Sequence, residues 1–182
     1  SFMTFKTQPN ADYLKSRVVL MGNSDLTMST AAPTQSTNDY YVKNADADEV
    51  IFIHEGSGKL LTLYGEVAFE YGDYLVIPRG TIYQLKFDST ENRLMIIESF
   101  SPIIPPKRYR NEFGQLLEHS PYCERDIKLP VNLKTHDEKG DFKVMIKKQN
   151  YIYPYTYATH PFDAIGCDGY VYPYAFSIHD YE

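Results

Sequence analysis

Short strand-like runs, some continuously apolar and some alternating apolar with polar, recur along the first hundred residues with turn residues between them. The runs are Arg17-Val-Val-Leu-Met21, Leu26-Thr-Met-Ser-Thr30, Val50-Ile-Phe-Ile53, Lys59-Leu-Leu-Thr-Leu63, Val67-Ala-Phe69, Tyr74-Leu-Val-Ile77, Tyr83-Gln-Leu-Lys-Phe87 and Arg93-Leu-Met-Ile-Ile97. A strand about every ten residues predicts a sandwich or barrel, not alternating strands and helices. Leu61, Leu63, Val67 and Phe69 fall on alternating positions around Tyr64-Gly-Glu66, which predicts a tight hairpin. Gly56-Ser-Gly58 and Pro78-Arg-Gly80 supply further turns.

Past Ser101 the texture changes. Pro102, Pro105 and Pro106 interrupt any regular element, and a polar stretch runs to about Gly140. Within it, 111–119 predicts two helical turns, weakened by Gly114. Alternation resumes at Phe142-Lys-Val-Met-Ile-Lys147, Tyr151-Ile-Tyr-Pro-Tyr-Thr-Tyr157 and Gly169-Tyr-Val-Tyr-Pro-Tyr-Ala-Phe176, where Pro154 and Pro173 require edge or bulged strands. The expected organisation is an extension over 1–11, a barrel core over 12–100, an irregular and partly helical connection over 101–140, and further strands over 141–182. Ser1-Phe2 ahead of Met3 reads as a cloning scar, and the end at Glu182 as a cut within a longer protein.

Composition agrees with an all-β class: 17 Tyr and 10 Phe suit pleated, half-buried surfaces. A net charge of -6 with scattered basic residues, densest at Lys107-Arg-Tyr-Arg110, argues against a nucleic-acid partner. No apolar run is long enough for a membrane-spanning helix. Cys123 and Cys167 lie far apart without metal-ligand spacing, so a reduced, cytoplasmic setting is expected.

Two segments, from Glu49 to Gly58 and from Gly72 to Tyr83, resemble the paired motifs of the cupin family, whose fold is a double-stranded β-helix or jelly-roll-like barrel. Glu49 and Gly56 fit the first motif; Gly72, Pro78 and Gly80 fit the second. The positions that hold histidines in metal-binding cupins carry Val42, Asn44 and Tyr83 here. A two-histidine, one-carboxylate iron site needs two imidazoles and a carboxylate around open coordination positions, and only Glu49 remains. Val42, Asn44, Glu49 and Tyr83 are therefore expected to line a degenerate pocket, with no catalytic residue and no metal in this chain.

The five histidines, His54, His119, His136, His160 and His179, sit in loops or at loop edges without ligand spacing. Asp46-Ala-Asp48 and Thr135-His-Asp-Glu138 read as solvated turns or strand entries. Ser57 lies between glycines but lacks the spacing of a nucleophile elbow.

Longer strings point further. Asn44-Ala-Asp-Ala-Asp-Glu49, Phe52-Ile-His-Glu-Gly-Ser-Gly58, the run from Tyr71 to Gln84, the run from Pro106 to Pro121, Thr135-His-Asp-Glu-Lys-Gly140, and His160-Pro-Phe-Asp163 through Tyr174-Ala-Phe-Ser-Ile-His-Asp180 resemble the N-terminal region of the bacterial homogentisate 1,2-dioxygenase family from about Asp12 onward. The resemblance implies a two-cupin enzyme that opens the ring of homogentisate with Fe(II) and O2, giving maleylacetoacetate in tyrosine and phenylalanine catabolism. It implies iron ligands in a C-terminal cupin half lying beyond Glu182, and a homo-oligomer for the intact enzyme. Cys167 departs from the family pattern, where Trp is expected. The alternative is a free-standing, metal-free cupin that binds a small molecule or serves as an interaction module.

Overall fold

The computed structural model describes residues 4–163 and 171–181, with the Phe5 side chain excepted. Its twelve strands are β1 (Val18–Gly22), β2 (Leu26–Ala31), β3 (Tyr41–Asn44), β4 (Asp48–Glu55), β5 (Gly58–Thr62), β6 (Gly65–Phe69), β7 (Asp73–Ile77), β8 (Ile82–Phe87), β9 (Arg93–Ser99), β10 (Lys139–Lys148), β11 (Tyr151–Thr159) and β12 (Tyr174–Ser177). They form two six-stranded sheets, in the orders β1-β2-β9-β4-β7-β12 and β11-β10-β3-β8-β5-β6. From β2 to β9 the chain changes sheet at every step except the β5–β6 hairpin. That alternation is the winding of a double-stranded β-helix, and the fold is an all-β cupin barrel. All named strand pairs are antiparallel except β3 with β10.

The sheets close on one apolar core, with Ile51 and Ile53 of β4, Leu60 of β5, Leu75 and Ile77 of β7, Leu85 of β8 and Ile96 of β9 all but inaccessible to water. Each such side chain contributes about 1.5–3 kcal/mol of burial. A smaller cluster of Ile82, Val144 and Phe162, flanked by Tyr41, Leu61 and Tyr157, covers the outer face of the second sheet. The β5–β6 hairpin forms around a two-residue tip, Leu63-Tyr64, since Thr62 pairs with Gly65. The inward phase of β5 belongs to Leu60 and Thr62, so Leu61 packs in the outer cluster instead of with Val67 and Phe69. Gly72 and Gly80 turn the chain at positive φ, +89° and +87°, where a Cβ is strained.

Two expectations need correction. Strand β3 has no counterpart among the expected runs, because the inward positions on Tyr41-Val-Lys-Asn44 are Val42 and Asn44; a buried asparagine hides the apolar period. The segment 111–119 is not helical. The Asn111 carboxamide accepts from Phe113 N (2.9 Å) and Gln115 N (3.0 Å), and the turn closes through the Arg110–Leu116 bridge. An asparagine side chain that captures the backbone amides favours a turn over a helix.

The C-terminal strands build onto the same two sheets. β10 pairs with β3 and β12 with β7, placing Pro154 on β11, an edge strand of the second sheet, and Pro173 just before β12, an edge strand of the first. Gly169 and Tyr170, at the start of the last expected run, and Cys167 lie outside the described residues. Cys123 is buried and free. The connection is held by Lys128, whose ammonium lies 2.8 and 3.0 Å from the two oxygens of the buried Asp73. The acidic residues at the entry to β4 stitch backbone: Asp46 accepts from Gln149 N and Asn150 N at the β10–β11 turn, and Asp48 from Arg79 N and Ile103 N.

Candidate functional site

A charged cluster fills one end of the barrel. Glu49 on β4 and Glu98 on β9 are cross-strand partners, so their carboxylates share the inward face. Two like charges side by side in a dry interior require cations. Arg17, at the entry to β1, supplies one: Nη1 donates to Glu49 Oε1 at 3.2 Å, and Nη2 lies 2.9 Å from Glu98 Oε2 as an ion contact. Its Nε donates to Ser29 Oγ at 2.9 Å. Lys147 on β10 supplies the second through an ion pair with Glu98 Oε1.

The approach of Arg17 is set by a turn at 12–16, in which the Asp12 carboxylate accepts from Lys15 N at 3.1 Å and Ser16 N donates to Asp12 O at 2.9 Å. The same turn drives Tyr13 fully into the core, edge-on to Tyr83.

The remaining valences are filled by neutral groups. Tyr83 on β8 donates to Glu49 Oε2 at 2.8 Å, Tyr13 approaches Glu49 Oε1 at 3.4 Å, and Asn44 Nδ2 donates to Glu98 Oε1 at 2.6 Å. The Asn44 side-chain Oδ1 accepts from the amides of Asp46 and Ala47. Burial, with Glu49 beside it, raises the Tyr83 phenol well above its ordinary value, and burial with the same carboxylate raises Tyr13, so both remain donors. For Arg17 burial opposes the charge, but Tyr13, Glu49 and Glu98 outweigh it and raise its pKa.

All four residues singled out in the sequence lie in or beside this cluster, and all are buried. Val42 contributes an apolar wall. The set does not fit the two-imidazole, one-carboxylate iron centre of metal-binding cupins: there is no imidazole, both Glu49 oxygens have donors, and a guanidinium stands against the carboxylate. Sequence reading missed Tyr13, Arg17, Glu98 and Lys147. One signal was present, since Leu94, Ile96 and Glu98 share the inward phase of β9, and an acid on an apolar phase implies an internal partner.

A second cluster lies on the outer face of the second sheet. His136, Glu138 and His160 bring ligating atoms within 4.8 Å of one another. The two histidines border a cavity of about 150 Å³ that Tyr41, Gln84, Phe162, Asn132 and Lys134 also line. The spacing His136-x-Glu138 on extended chain was the available signal. His54, His119 and His179 do not join the cluster.

The pose is not that of a metal chelate. The two imidazoles stack with centroids 3.8 Å apart and planes 4° from parallel. An ion equidistant from both rings would stand half of that separation, about 1.9 Å, out of each plane, whereas metal–imidazole bonds of about 2.0–2.1 Å run along in-plane lone pairs. Both nitrogens of His160 are also engaged. Nδ1 accepts from Phe162 N at 3.1 Å, so Nε2 carries the proton and donates to Tyr41 Oη at 3.0 Å.

Among the described residues no helix is long and apolar enough to cross a membrane. The chain matches the family described as Homogentisate 1,2-dioxygenase N-terminal over residues 2–178. It is 43% identical over 166 residues to "Putative dioxygenase SSO1533" of Saccharolobus solfataricus, covering 91% of this chain and 42% of that protein. It is 23% identical over 137 residues to the homogentisate 1,2-dioxygenase of Bradyrhizobium diazoefficiens, covering 75% of this chain and 29% of that protein. The chain thus spans less than half the length of these relatives.

Similar solved structures include a cupin-2 domain protein from Shewanella frigidimarina, with 24% identity, TM-score 0.41, and 46% of this chain and 79% of that one covered. Another is salicylate 1,2-dioxygenase from Pseudoaminobacter salicylatoxidans, with 18% identity, TM-score 0.40, and 46% and 24% covered. The match over residues 2–178, nearly the whole sequence, makes the chain a member of the homogentisate 1,2-dioxygenase N-terminal domain family.

Proposed function

We propose that this chain is the non-catalytic N-terminal barrel of a ring-cleaving dioxygenase acting on homogentisate. Its role is structural, and the Fe(II) and O2 chemistry belongs to a C-terminal cupin half outside these residues. One observation carries the reading: the barrel position that would hold a metal is filled by the Arg17 guanidinium, with Glu49 and Glu98 committed to it. An internal cation neutralises the carboxylates while leaving no open coordination position.

Family membership supports the substrate and the iron of the whole protein, and the relatives' greater length supports a second half. A cytoplasmic, homo-oligomeric enzyme fits the same reading. Tyr151, Tyr153 and Tyr155 share one exposed face of the edge strand β11, the kind of aromatic surface an assembly would cover.

The test is oxygen uptake. The purified 182-residue chain, loaded anaerobically with Fe(II), is expected to consume no O2 with homogentisate and to retain no stoichiometric iron. Turnover at enzymic rates, ~1–1000 per second, would overturn the proposal.

A further inference from the structure

From Val131 to Asp141, every side chain but one is exposed; the exception is His136. This strap is pinned at one end by the paired backbones of Val131 and Glu66, with Asn132 donating to Glu66, and at the other by the start of β10. Between those points the side chain that meets the body of the protein is His136, its face laid on His160 and its edge 6.1 Å from Phe162, while at the strap's end Glu138 O accepts from the His160 amide at 3.0 Å. His160 is itself boxed edge-on by Tyr41, Phe142 and Phe162 at 5.5, 5.0 and 5.4 Å, so the fixed ring is His160 and the movable one His136. The strap roofs the 150 Å³ cavity, with Asn132, Lys134 and His136 above and Tyr41, Gln84 and Phe162 below.

We propose that the His136–His160 stack is an acid-released clasp, which holds the 132–138 strap over this cavity at neutral pH and lets it swing open on acidification while the barrel stays folded. The stack needs a neutral His160. Its Nδ1 lone pair holds the Phe162 amide, and protonation there sets two N–H donors against each other. Protonation of both rings also places two cations face to face at 3.8 Å.

The charged and titratable groups around the pair come from every neighbouring element. Glu138 and Lys134 lie on the strap, Glu66 on β6, Tyr41 on β3, and Asp163 follows His160. Glu138, 3.3 Å from His136 Nδ1, and Asp163 favour protonation of His160; burial and His136 oppose it and prevail, so its pKa is lowered. The neutral ring is the native form, and acid works against it.

The experiment is backbone 15N relaxation at pH 7.5 and 5.0, on the wild type and on His136→Phe, which keeps a stacking ring but cannot be protonated. In the wild type, order parameters of 132–138 are expected to fall from about 0.85 to below about 0.6 at pH 5.0, with the barrel strands unchanged. In His136→Phe they are expected to stay high at both values. The proposal is overturned by a wild-type strap equally ordered at both pH values, by a strap already mobile at pH 7.5, or by His136→Phe losing order with acid as the wild type does. Barrel amide signals in the same spectra show that each variant is folded.

Discussion

The interior cluster around Arg17 and the outer clasp at His136 are built from the same kinds of group, yet they differ in what water can reach. Arg17, Glu49 and Glu98 have side chains 12, 2 and 2% exposed, and every charge in the cluster has an opposite charge in contact. The clasp joins an intermediate ring to an otherwise exposed strap. A buried charge has no alternative partner when its own is removed, whereas an exposed group falls back on solvent. The interior cluster is therefore expected to hold through any condition that keeps the barrel folded. The clasp is expected to open without unfolding anything else.

The sharpest way to break the comparison is Arg17→Ala, which leaves Glu49 and Glu98 adjacent in the core with Lys147 as their remaining cation. Removing one partner of a buried pair costs about 3–5 kcal/mol. Against a total stability of about 5–15 kcal/mol for a domain, that should lower the urea midpoint severely. A loss below about 1 kcal/mol would mean that water already reaches the cluster. Tyr83→Phe is the next step down. It removes the 2.8 Å donor to Glu49 without changing shape, and a hydrogen bond to a charged group is worth about 1.5–3 kcal/mol. Equilibrium unfolding of the pure variant measures it directly.

The legibility of the two regions in the sequence differed for the same physical reason. Strands such as β4, β7 and β9 were readable because each is a short apolar run bounded by turn residues. β3 was not, because its inward Asn44 satisfies its amide within the barrel and so looks like a surface residue. Glu49 and Tyr83 were found through motif position, but their partner Arg17 could not be. It sits before β1, 32 residues from Glu49, in a run that reads as an ordinary strand, and only the turn at 12–16 aims it inward. The His136–His160 stack depends on a register between the strap and the end of β11, fixed by the His160 amide donating to Glu138 O, which no local spacing encodes. The helical turns expected over 111–119 failed because Asn111 offers its own acceptor to the amides a helix would have used.

The smallest effect should come from the clasp itself. His136→Ala removes a contact of a solvent-facing strap, so global stability at pH 7.5 should change by no more than about 0.5 kcal/mol, as for surface substitutions generally. Its pH dependence should change more. His160 has a pKa lowered in the folded state, by burial first and His136 second, so between the folded value and the unfolded one, about 6.5, the unfolded chain binds more protons. Stability therefore rises with pH through that window, and the contribution is lost as pH falls below about 6.5. Removing His136 takes away the ring that opposes protonation of His160 and admits water to it, so both causes of the lowering weaken. Urea midpoints measured from pH 7.5 to 5.0 should then fall less steeply for His136→Ala than for the wild type. Parallel curves would mean that the stack does not set the charge state of His160, and that the strap is as indifferent to acid as the Arg17 cluster.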